Sequence, residues 1–397
     1  MKATESLVFL SAKRTPFGGN GGSFRELTPT QLGVIASQAA LEAAGVTPSK
    51  IEHVIFGSVL QSAPDSIYAP RHIGLRVGVP EAVPALGVNR LCGSGFQAII
   101  EAHQQMRAGD VEVALVGGIE NMSMSPYLLR TARAGMRMGH QPVIDMMTEA
   151  LTDAYAQAPM AITAENLAEK YSITREQADE YALRSQRLYK EAREGGRFKA
   201  EIAPVSVTDR KGQVQVVDQD EHPKPDTTME ILARLKPIFK KDGIVTAGNA
   251  SGIVDGASAL VVASESRAAR EGWKPLGRLV AYGISGCDPK IMGIGPVPAA
   301  RQALARAGMK LSQMDLVEVN EAFAPQLLSV QKELELDPST LNVNGGAIAI
   351  GHPLGASGAR ITGHLLHELR RRGKRYGLGS ACIGGGQGIA VIIEVFP

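Results

Sequence analysis

Cysteine is the residue type best suited to covalent chemistry in this chain, which has three of them, Cys92, Cys287 and Cys382. Their odd number and the lack of a C-x-x-C pair argue against a disulfide framework or a thiolate zinc site and favour a reducing compartment. Cys92 lies where a strand-like segment meets an apolar helix. A thiol at a helix N-terminus has a lowered pKa and a larger thiolate fraction, so Cys92 is predicted to be a nucleophile. An inert buried cysteine is the alternative that this local pattern leaves open.

A histidine in a glycine-rich turn, His352, is the predicted base for this thiol. When the chain is aligned with itself at a shift of 263 residues, Ser94-Gly95 falls on Ser357-Gly358. The same shift places Asn89 on His352, so the His352 turn is the counterpart of the Cys92 turn in a second copy. In a pseudo-two-fold fold the two turns would face each other near the axis, which predicts a Cys–His pair. A structural role for a lone histidine is the alternative.

A second thiol and an asparagine complete the set of candidate catalytic residues. Cys382 precedes the run Gly384-Gly385-Gly386, whose backbone amides are free to bind an anion or an acyl oxygen. With a pKa not far above neutrality, Cys382 is predicted to serve as a general acid or base. Asn320 ends an apolar strand, at the edge of a sheet where ligands of α/β folds gather. A phosphate loop is the alternative for the glycine run, and a helix N-cap is the alternative for Asn320.

The elements that must position these residues are predicted by the repeat. Each copy has an apolar strand, an Ala-rich helix that ends at a glycine, and a second strand, followed by a Ser-Gly turn with its helix and a glycine-rich strand region. This order implies β-α-β units and parallel-rich sheets covered by helices. Two copies predict an α/β fold of five layers, α-β-α-β-α. Apolar central helices around residues 95–100 and 358–363 would lie between the two sheets.

The non-repeated segment 122–246 is predicted to be an inserted loop domain. The N-terminal half would then be residues 1–121, completed by about 247–272, and the C-terminal half residues 273–397. The insertion carries a polar helical stretch over residues 163–194. Long insertions on a rigid scaffold commonly form substrate lids. An arm between subunits is the alternative, and both roles can hold.

The charge balance and the hydropathy pattern restrict the choice of partners. The net charge of +2 and the pI near 8.4 do not call for nucleic acid or an anionic membrane surface. The basic run 370–375 is predicted to be a solvated helix end, with a phosphate site as the alternative. No apolar run approaches the roughly 20 residues of a membrane span, and the first 14 residues lack a signal pattern. A cytoplasmic protein is predicted.

Four segments together resemble the signature set of the thiolase family. They are 89–95 with Cys92, 320–324, Gly351-His352-Pro353-x-Gly355, and Cys382-x-Gly384-Gly385-Gly386-x-Gly388. One such motif is weak support, whereas four in this order are highly specific. The resemblance covers essentially the whole chain and is greatest to the mitochondrial-type 3-ketoacyl-CoA thiolases. The absence of an import peptide nevertheless predicts a bacterial cytoplasmic protein.

The resemblance implies a duplicated thiolase fold and a reversible Claisen condensation or thiolytic cleavage of 3-ketoacyl-CoA, including acetoacetyl-CoA, through an acyl-Cys92 intermediate. It implies that His352 is the base for Cys92 and that Cys382 protonates or deprotonates the acetyl-CoA unit. Two oxyanion holes are implied, one from His352 and a water held by Asn320, the other from the backbone N–H groups of Cys92 and Gly384. CoA and acyl-CoA are then substrates, no cofactor or metal is implied, and a homo-oligomer, dimer or tetramer, is expected.

The resemblance also assigns CoA contacts to residues that lie mainly in the insertion and at its exit. They are Leu151, Met160, Lys224, Phe239, Ala247, Ser251, Met292, Ala322 and Phe323. Pro159 stands where acetoacetyl-CoA-forming members carry a histidine, and Lys224 stands where an arginine is common. These departures leave the phosphate contacts and the acyl-chain-length preference open.

Other functions are weighed on the same residues. Ketoacyl synthases and hydroxymethylglutaryl-CoA synthases pair a nucleophilic cysteine with two histidines, or with a glutamate and a histidine, and Cys382 argues against them. A non-catalytic CoA-binding scaffold would not need Cys92, His352 and Cys382 together. A Rossmann-type nucleotide binder would need G-x-G-x-x-G after the first strand, which residues 13–22 do not supply.

Overall fold

The strands and helices follow the repeated order that the sequence predicts. The computed structural model describes residues 5–208 and 211–396. The strands are β1 (Leu7–Arg14), β2 (Gly18–Gly19), β3 (His53–Gly57), β4 (Ala85–Val88), β5 (Val113–Asn121), β6 (Tyr127–Leu128), β7 (Ile144–Asp145), β8 (Thr152–Asp153), β9 (Ala158–Pro159), β10 (Val205–Thr208), β11 (Val214–Val217), β12 (Val254–Ser264), β13 (Gly277–Gly286), β14 (Leu316–Val319), β15 (Tyr376–Ile383) and β16 (Gln387–Val395). The helices are α1 (Pro29–Ala44), α2 (Ala69–Arg76), α3 (Ser94–Ala108), α4 (Met146–Ala150), α5 (Met160–Tyr171), α6 (Arg175–Glu194), α7 (Met229–Ala233), α8 (Glu265–Glu271), α9 (Pro296–Ala307), α10 (Ala324–Leu334), α11 (Ala347–Ile350) and α12 (Ser357–Arg372).

Helix ends at equivalent places of the two copies have the same backbone conformation. Helix α1 begins after Thr28, whose side chain accepts the Gln31 N–H, and ends at Gly45 with φ of 63°. Helix α9 ends at Gly308, also with φ of 63°. This left-handed conformation is strained for residues other than glycine. Because Gly45 and Gly308 are related by the shift of 263 residues, the backbone confirms the repeat.

The basic run 370–375 closes helix α12, as the sequence predicts. The helix ends at Arg372, and the next residue, Gly373, caps it in the left-handed conformation. Arg371 and Arg372 both donate to Glu368 one turn earlier. These side chains form a solvated helix end, where cations also offset the helix dipole.

Ten of the described strands form one mixed sheet, and the other six form three two-stranded sheets, β6 with β7, β8 with β9 and β10 with β11. The order of the ten-stranded sheet is β14-β15-β16-β13-β1-β12-β5-β3-β4, and β2 pairs with β12 beside this path. The two halves meet where β1 pairs with β13, through Val8 with Arg278 and Phe9 with Gly277. The sheet of each copy is therefore continuous with the other along one short antiparallel junction.

The prediction of parallel-rich sheets is wrong. Among the strands of residues 5–208 and 211–396, the only parallel pairs are β3 with its neighbours β4 and β5, and β14 with β15. Strand β12 returns from the far end of the insertion and lies antiparallel to both β1 and β5. Strands β15 and β16 are joined by the short glycine turn and form a hairpin, which can only be antiparallel.

The five predicted layers are present. Helices α3 and α12 lie between the two halves of the sheet, and their side chains share one core with the inner faces of strands from both halves, among them Phe96, Ile99, Ile361 and Leu365. Helices α1 and α2 cover the outer face of the N-terminal half, and α9 and α10 cover that of the C-terminal half. The central helices touch at Gly95 and Gly358, where an added Cβ would lie 2.5 Å and 2.2 Å from backbone nitrogens of the facing helix.

The polar helical stretch predicted within the insertion forms α5 and α6. Helix α6 packs against α10 and α11. There Tyr181 and Ser185 donate hydrogen bonds to the buried Glu321. Arg14 of β1 forms buried ion pairs with Glu201 and Asp220. These contacts fix the insertion on the body. Among the described residues, no helix has both the length and the apolar composition needed to cross a membrane.

Candidate active site

An apolar cavity of about 340 Å³ lies between the insertion and the turns that carry the candidate catalytic residues. Its lining includes Met122, Met147, Leu151, Met160, Phe239, Ser251, Phe323, His352 and Leu354. Segment 250–253, at the exit of the insertion, forms one wall. It is held by hydrogen bonds from Ser251 N–H to the Ala322 carbonyl and from His352 N–H to the Gly252 carbonyl. The wall thus connects the Asn320 segment to the His352 turn.

The Cys92 turn connects β4 to α3 and is held by the first residue of that helix. Ser94 donates from Oγ to the Leu91 carbonyl at 2.7 Å and accepts the Arg90 N–H at 2.9 Å. Leu91 has φ of 48°, a left-handed conformation that residues with side chains rarely adopt. Such strain is typical of functional turns and persists where the surroundings enforce it. The turn places Cys92 two residues before the helix begins.

Cys92 borders the cavity through the residues that surround it. It packs in an apolar cluster with Leu60, Met122 and Leu354, and the last two also line the cavity. Desolvation raises the pKa of the Cys92 thiol to about 11, although hydrogen bonds from the backbone N–H groups of Gly384 and Cys92 itself lower it. The prediction of a lowered pKa is therefore wrong. The cost of a charge in this apolar cluster outweighs the two amide hydrogen bonds.

His352 has a defined tautomer. Ser357 donates its hydroxyl to the Pro353 carbonyl at 2.9 Å, so its oxygen accepts the proton on His352 Nδ1 at 2.6 Å. The other ring nitrogen, Nε2, is therefore unprotonated. It is buried and has no hydrogen-bond partner among the described residues. Desolvation, with the Arg360 charge, lowers the pKa of His352 to about 3, so the ring is neutral and its free lone pair is a proton acceptor.

Cys382 is fully buried at the end of β15. It packs with Met292, Ala322, Met160 and Phe323, and the last two line the cavity. Desolvation, with the nearby Cys92 and Cys287 thiols, raises the pKa of Cys382 well above its ordinary value. The prediction of a pKa not far above neutrality is wrong, because an apolar site disfavours the thiolate. A neutral Cys382 is a proton donor in the resting protein.

Asn320 follows β14 and lies beside the last residues of β15. Its backbone N–H donates to the Ser380 carbonyl, which fixes it next to the β15 strand. The side chain is 1% exposed, and neither Oδ1 nor Nδ2 has a partner among the described residues. Helix α10 has Phe323 at its N-cap, so the helix-cap alternative for Asn320 does not hold. A buried amide without partners is costly unless a ligand or water bonds it.

The residues to which CoA contacts were assigned fall into three groups. Leu151, Met160, Phe239, Ser251 and Phe323 line the cavity. Met292 and Ala322 are buried behind it against Cys382. Ala247 and Lys224 are exposed and lie outside the lining, and the Lys224 backbone is held by Gln186 of helix α6. The structure brings the first two groups together and leaves the third apart.

Sequence reasoning missed two groups of residues at the site. Ser357 was noticed as the counterpart of Ser94 but not as the partner of the imidazole. The methionines Met122 and Met147, which line the cavity, belong to a segment of the insertion that has no repeat counterpart. A hydroxyl five residues after the histidine, at the start of the central helix, was a usable signal for Ser357, whereas the methionines carried none.

Family models match nearly the whole chain. The thiolase N-terminal domain matches residues 7–266, and the thiolase C-terminal domain matches residues 273–395. The mitochondrial 3-ketoacyl-CoA thiolase of Bos taurus is 56% identical over 395 residues, 99% of both chains. Beta-ketothiolase BktB of Cupriavidus necator is 49% identical over 98% of this chain and 99% of its own.

A solved structure matches the fold over nearly the whole chain. Human mitochondrial 3-ketoacyl-CoA thiolase in complex with CoA superposes with a TM-score of 0.96 at 54% identity, covering 99% of this chain and 98% of the other. The prediction of a cytoplasmic protein is contradicted, because relatives with 54–56% identity over the full length are named mitochondrial. The thiolase fold and the acyltransferase class are confirmed. The chain belongs to the thiolase family.

Proposed function

We propose that the protein transfers acyl groups between CoA and Cys92 in the cleavage and formation of 3-ketoacyl-CoA. The observation that supports this most is the convergence of a neutral thiol, an imidazole with a free Nε2 and a second buried thiol around one apolar cavity. Acyl-CoA and CoA are its small-molecule partners, consistent with the relative that was solved with CoA. Fatty-acid degradation is the metabolic setting in which 3-ketoacyl-CoA is cleaved.

In the cleavage direction His352 Nε2 takes the proton of the Cys92 thiol as the sulfur attacks the 3-keto carbon. The bond between C2 and C3 then breaks, and its electron pair leaves as the enolate of acetyl-CoA. Cys382 gives its proton to the C2 carbon of this enolate, and acetyl-CoA departs. The Cys382 thiolate then takes the proton that His352 carries, so His352 is neutral again. CoA enters, His352 removes its thiol proton, and the CoA thiolate attacks acyl-Cys92. An acyl-CoA shortened by two carbons leaves, and the released Cys92 thiolate takes the proton back from His352. Condensation is the reverse sequence.

The Cys92 thiol and the His352 imidazole are both uncharged before the reaction. The raised pKa of Cys92 and the lowered pKa of His352 keep thiol and imidazole neutral. Proton transfer is therefore coupled to attack on the substrate carbonyl. Charge moves to the carbonyl oxygen, where the protein supplies N–H donors.

Two sets of donors are assigned to the developing oxyanions. The backbone N–H groups of Cys92 and Gly384 already point at the Cys92 sulfur, so they are in reach of a carbonyl bonded to it. Each such donor contributes about 2.7–4 kcal/mol to the transition state. The unpartnered Asn320 amide is suited to hold a water that acts with His352 on the other carbonyl oxygen. No metal or other cofactor has a role in these steps.

We also propose that the protein is a homo-oligomer, dimer or tetramer. Strand β4 lies at the end of the sheet, and its residues are half-buried or exposed in the single chain. An open strand edge next to the Cys92 turn is suited to pair with a second copy. Light scattering on the purified protein tests this, and a monomeric mass at micromolar concentration contradicts it.

The experiment follows the loss of enolate absorbance when the protein is mixed with CoA and acetoacetyl-CoA, or with CoA and a long-chain 3-ketoacyl-CoA. Intact-mass measurement without added CoA detects the acyl adduct. We expect cleavage and an adduct in the wild type and in Cys287→Ala, and neither in Cys92→Ala. Absence of both cleavage and adduct with either substrate in the wild type would favour the non-catalytic CoA-binding alternative. The two rates measure the chain-length preference.

A further inference from the structure

A buried carboxylate that the proposed reaction does not use lies between the two turns. Glu120, near the carboxyl end of β5, is fully buried. Its side chain accepts hydrogen bonds from three backbone N–H groups, those of Val59 at 3.2 Å, Leu60 at 3.0 Å and Gly355 at 2.9 Å. Val59 and Leu60 belong to the N-terminal half, and Gly355 belongs to the His352 turn. Glu120 therefore bridges the two copies of the fold.

The hydrogen bond to Gly355 fixes the His352 turn at a place of very close packing. A Cβ added at Gly118, on the same strand as Glu120, would lie 1.9 Å from the Gly355 carbonyl oxygen. A Cβ added at Gly355 would lie 2.9 Å from the carbonyl oxygen of Gly57. The turn thus packs directly on the paired strands β3 and β5 of the other half, at Gly57 and Gly118. The Glu120 carboxylate accepts the Gly355 N–H at this contact.

Val59 also links Glu120 to the Cys92 turn through further hydrogen bonds. The Val59 carbonyl accepts from Asn89 Nδ2 at 3.3 Å, and Asn89 Oδ1 accepts the Leu91 N–H at 3.0 Å. Leu91 is the left-handed residue directly before Cys92. A continuous series of hydrogen bonds therefore runs from the His352 turn, through Glu120, to the strained residue that aims the thiol.

We infer that Glu120 is a positioning residue that holds the His352 turn and the Cys92 turn in the mutual placement that acyl transfer requires. This inference rests on the proposed function of Cys92 and His352. Glu120 touches neither the substrate nor the reacting atoms in this assignment. It acts through the backbone of the two turns.

The donor set requires a carboxylate and excludes an amide. Two N–H groups, of Val59 and Gly355, point at Oε2, and one, of Leu60, points at Oε1. A glutamine has one acceptor and one donor end, so either orientation sets an NH₂ group against at least one backbone N–H. Burial raises the pKa of Glu120 to about 7, in spite of these three bonds, with a smaller contribution from the Asp255 charge. The group is ionised in the pH range where Cys92 titrates.

The charge on Glu120 gives the assignment a second readout. The Glu120 charge raises the pKa of Cys92, in addition to the larger increase caused by desolvation. Removal of the charge therefore lowers the pKa of Cys92 and increases its thiolate fraction at a given pH. Alkylation needs only the thiolate, whereas acyl transfer also needs His352 in place. Loss of Glu120 is expected to move the two rates in opposite directions.

The test compares Glu120→Gln with the wild type as purified full-length proteins. We expect kcat for thiolysis to fall by on the order of 10²-fold with KM nearly unchanged, the loss typical of a small misplacement of catalytic groups. We expect the pH midpoint of Cys92 alkylation by iodoacetamide to shift to lower pH. The matched control is Glu52→Gln, because Glu52 accepts the backbone N–H groups of Glu112 and Val113 at the opposite end of β5. Its kcat should equal that of the wild type.

Wild-type kcat in Glu120→Gln, or an alkylation midpoint shifted to higher pH, overturns the inference. If this variant does not fold, Glu120→Asp is the test. Aspartate keeps the charge, but its side chain is one methylene shorter, so its carboxylate cannot reach all three backbone N–H groups. A loss of kcat at constant KM then supports the inference, and wild-type kcat overturns it. Failure of the proposed function is distinguishable, since the wild type itself would then show neither thiolysis nor an acyl adduct.

Discussion

The Cys92 turn and the His352 turn occupy equivalent places in the two copies of the fold, and each precedes a central helix that begins with a serine. Ser94 Oγ donates to the Leu91 carbonyl and accepts a backbone N–H, that of Arg90. Ser357 Oγ donates to the Pro353 carbonyl and accepts the imidazole Nδ1 proton. Equivalent hydroxyls therefore stabilise a backbone turn in one copy and select the imidazole tautomer in the other. Duplication supplied two equivalent sites that could acquire complementary chemistry.

The largest effect is expected when the base, His352, is removed from this pair. His352→Ala leaves no acceptor for the Cys92 proton, so kcat for thiolysis should fall by about 10²–10⁴-fold, the usual contribution of a general base. CoA affinity, measured by calorimetry, should change little. A variant that keeps kcat within twofold of the wild type would show that the two turns do not act together.

The serines allow a sharper test of the comparison. Ser357→Ala removes the acceptor that fixes the imidazole, and loss of one hydrogen bond of about 1–1.5 kcal/mol corresponds to about a tenfold loss of kcat. Ser94→Ala, the matched variant in the other copy, removes bonds to backbone only. Because the Ser94 bonds hold the turn that carries Cys92, it should lower both the thermal midpoint and kcat. The pH dependence of kcat separates the two roles, since only Ser357→Ala removes a bond to the base, and the same pH profile in both variants would contradict the difference in roles.

The pH dependence of thiol reactivity tests the electrostatics of the Cys92 turn. Desolvation raises the pKa of Cys92 to about 11. The pH at which half of Cys92 is thiolate should therefore lie well above about 8.5, the usual value for an exposed cysteine. The rate of iodoacetamide alkylation, followed by peptide mass, measures this. A midpoint below about 8 would indicate that the helix terminus outweighs burial after all.

The smallest expected effect tests the equivalence of the two copies away from the site. Gly45→Ala and Gly308→Ala each place a side chain at φ of 63°, at the ends of α1 and α9. Each should lose about 1 kcal/mol of stability, and the two thermal midpoints should fall by similar amounts. Activity should be unchanged. A clear difference between the two variants would show that the copies differ in their packing at these caps.

The repeat allowed much of the fold to be predicted from the sequence, because a shift of 263 residues relates caps, strands and Ser-Gly turns that reappear in the structure. The antiparallel pairing of β12 could not be predicted, since its partners β1 and β5 lie on the other side of the insertion in the sequence. The thiol and imidazole were found from their turns. The directions of the pKa shifts of Cys92 and Cys382 were not, because burial depends on residues from distant segments.

Glu120 illustrates the same limit on sequence-based prediction. Its position at the end of a strand gave no sign that its three N–H partners come from two other segments, including the His352 turn. The role of Ser357 was closer to reach, since the repeat had already related it to Ser94. Local patterns identified the reactive groups, and only tertiary contacts identified what holds them.

The most direct test of the central claim is to identify the acylated residue. The protein is mixed with acetoacetyl-CoA in the absence of free CoA, quenched in acid, digested and examined by peptide mass. We expect an acetyl group on Cys92, absent in Cys92→Ala and retained in Cys287→Ala, that disappears when CoA is added before the quench. Acylation of Cys382 or Cys287 instead, or thiolysis that continues in Cys92→Ala, would contradict the central claim.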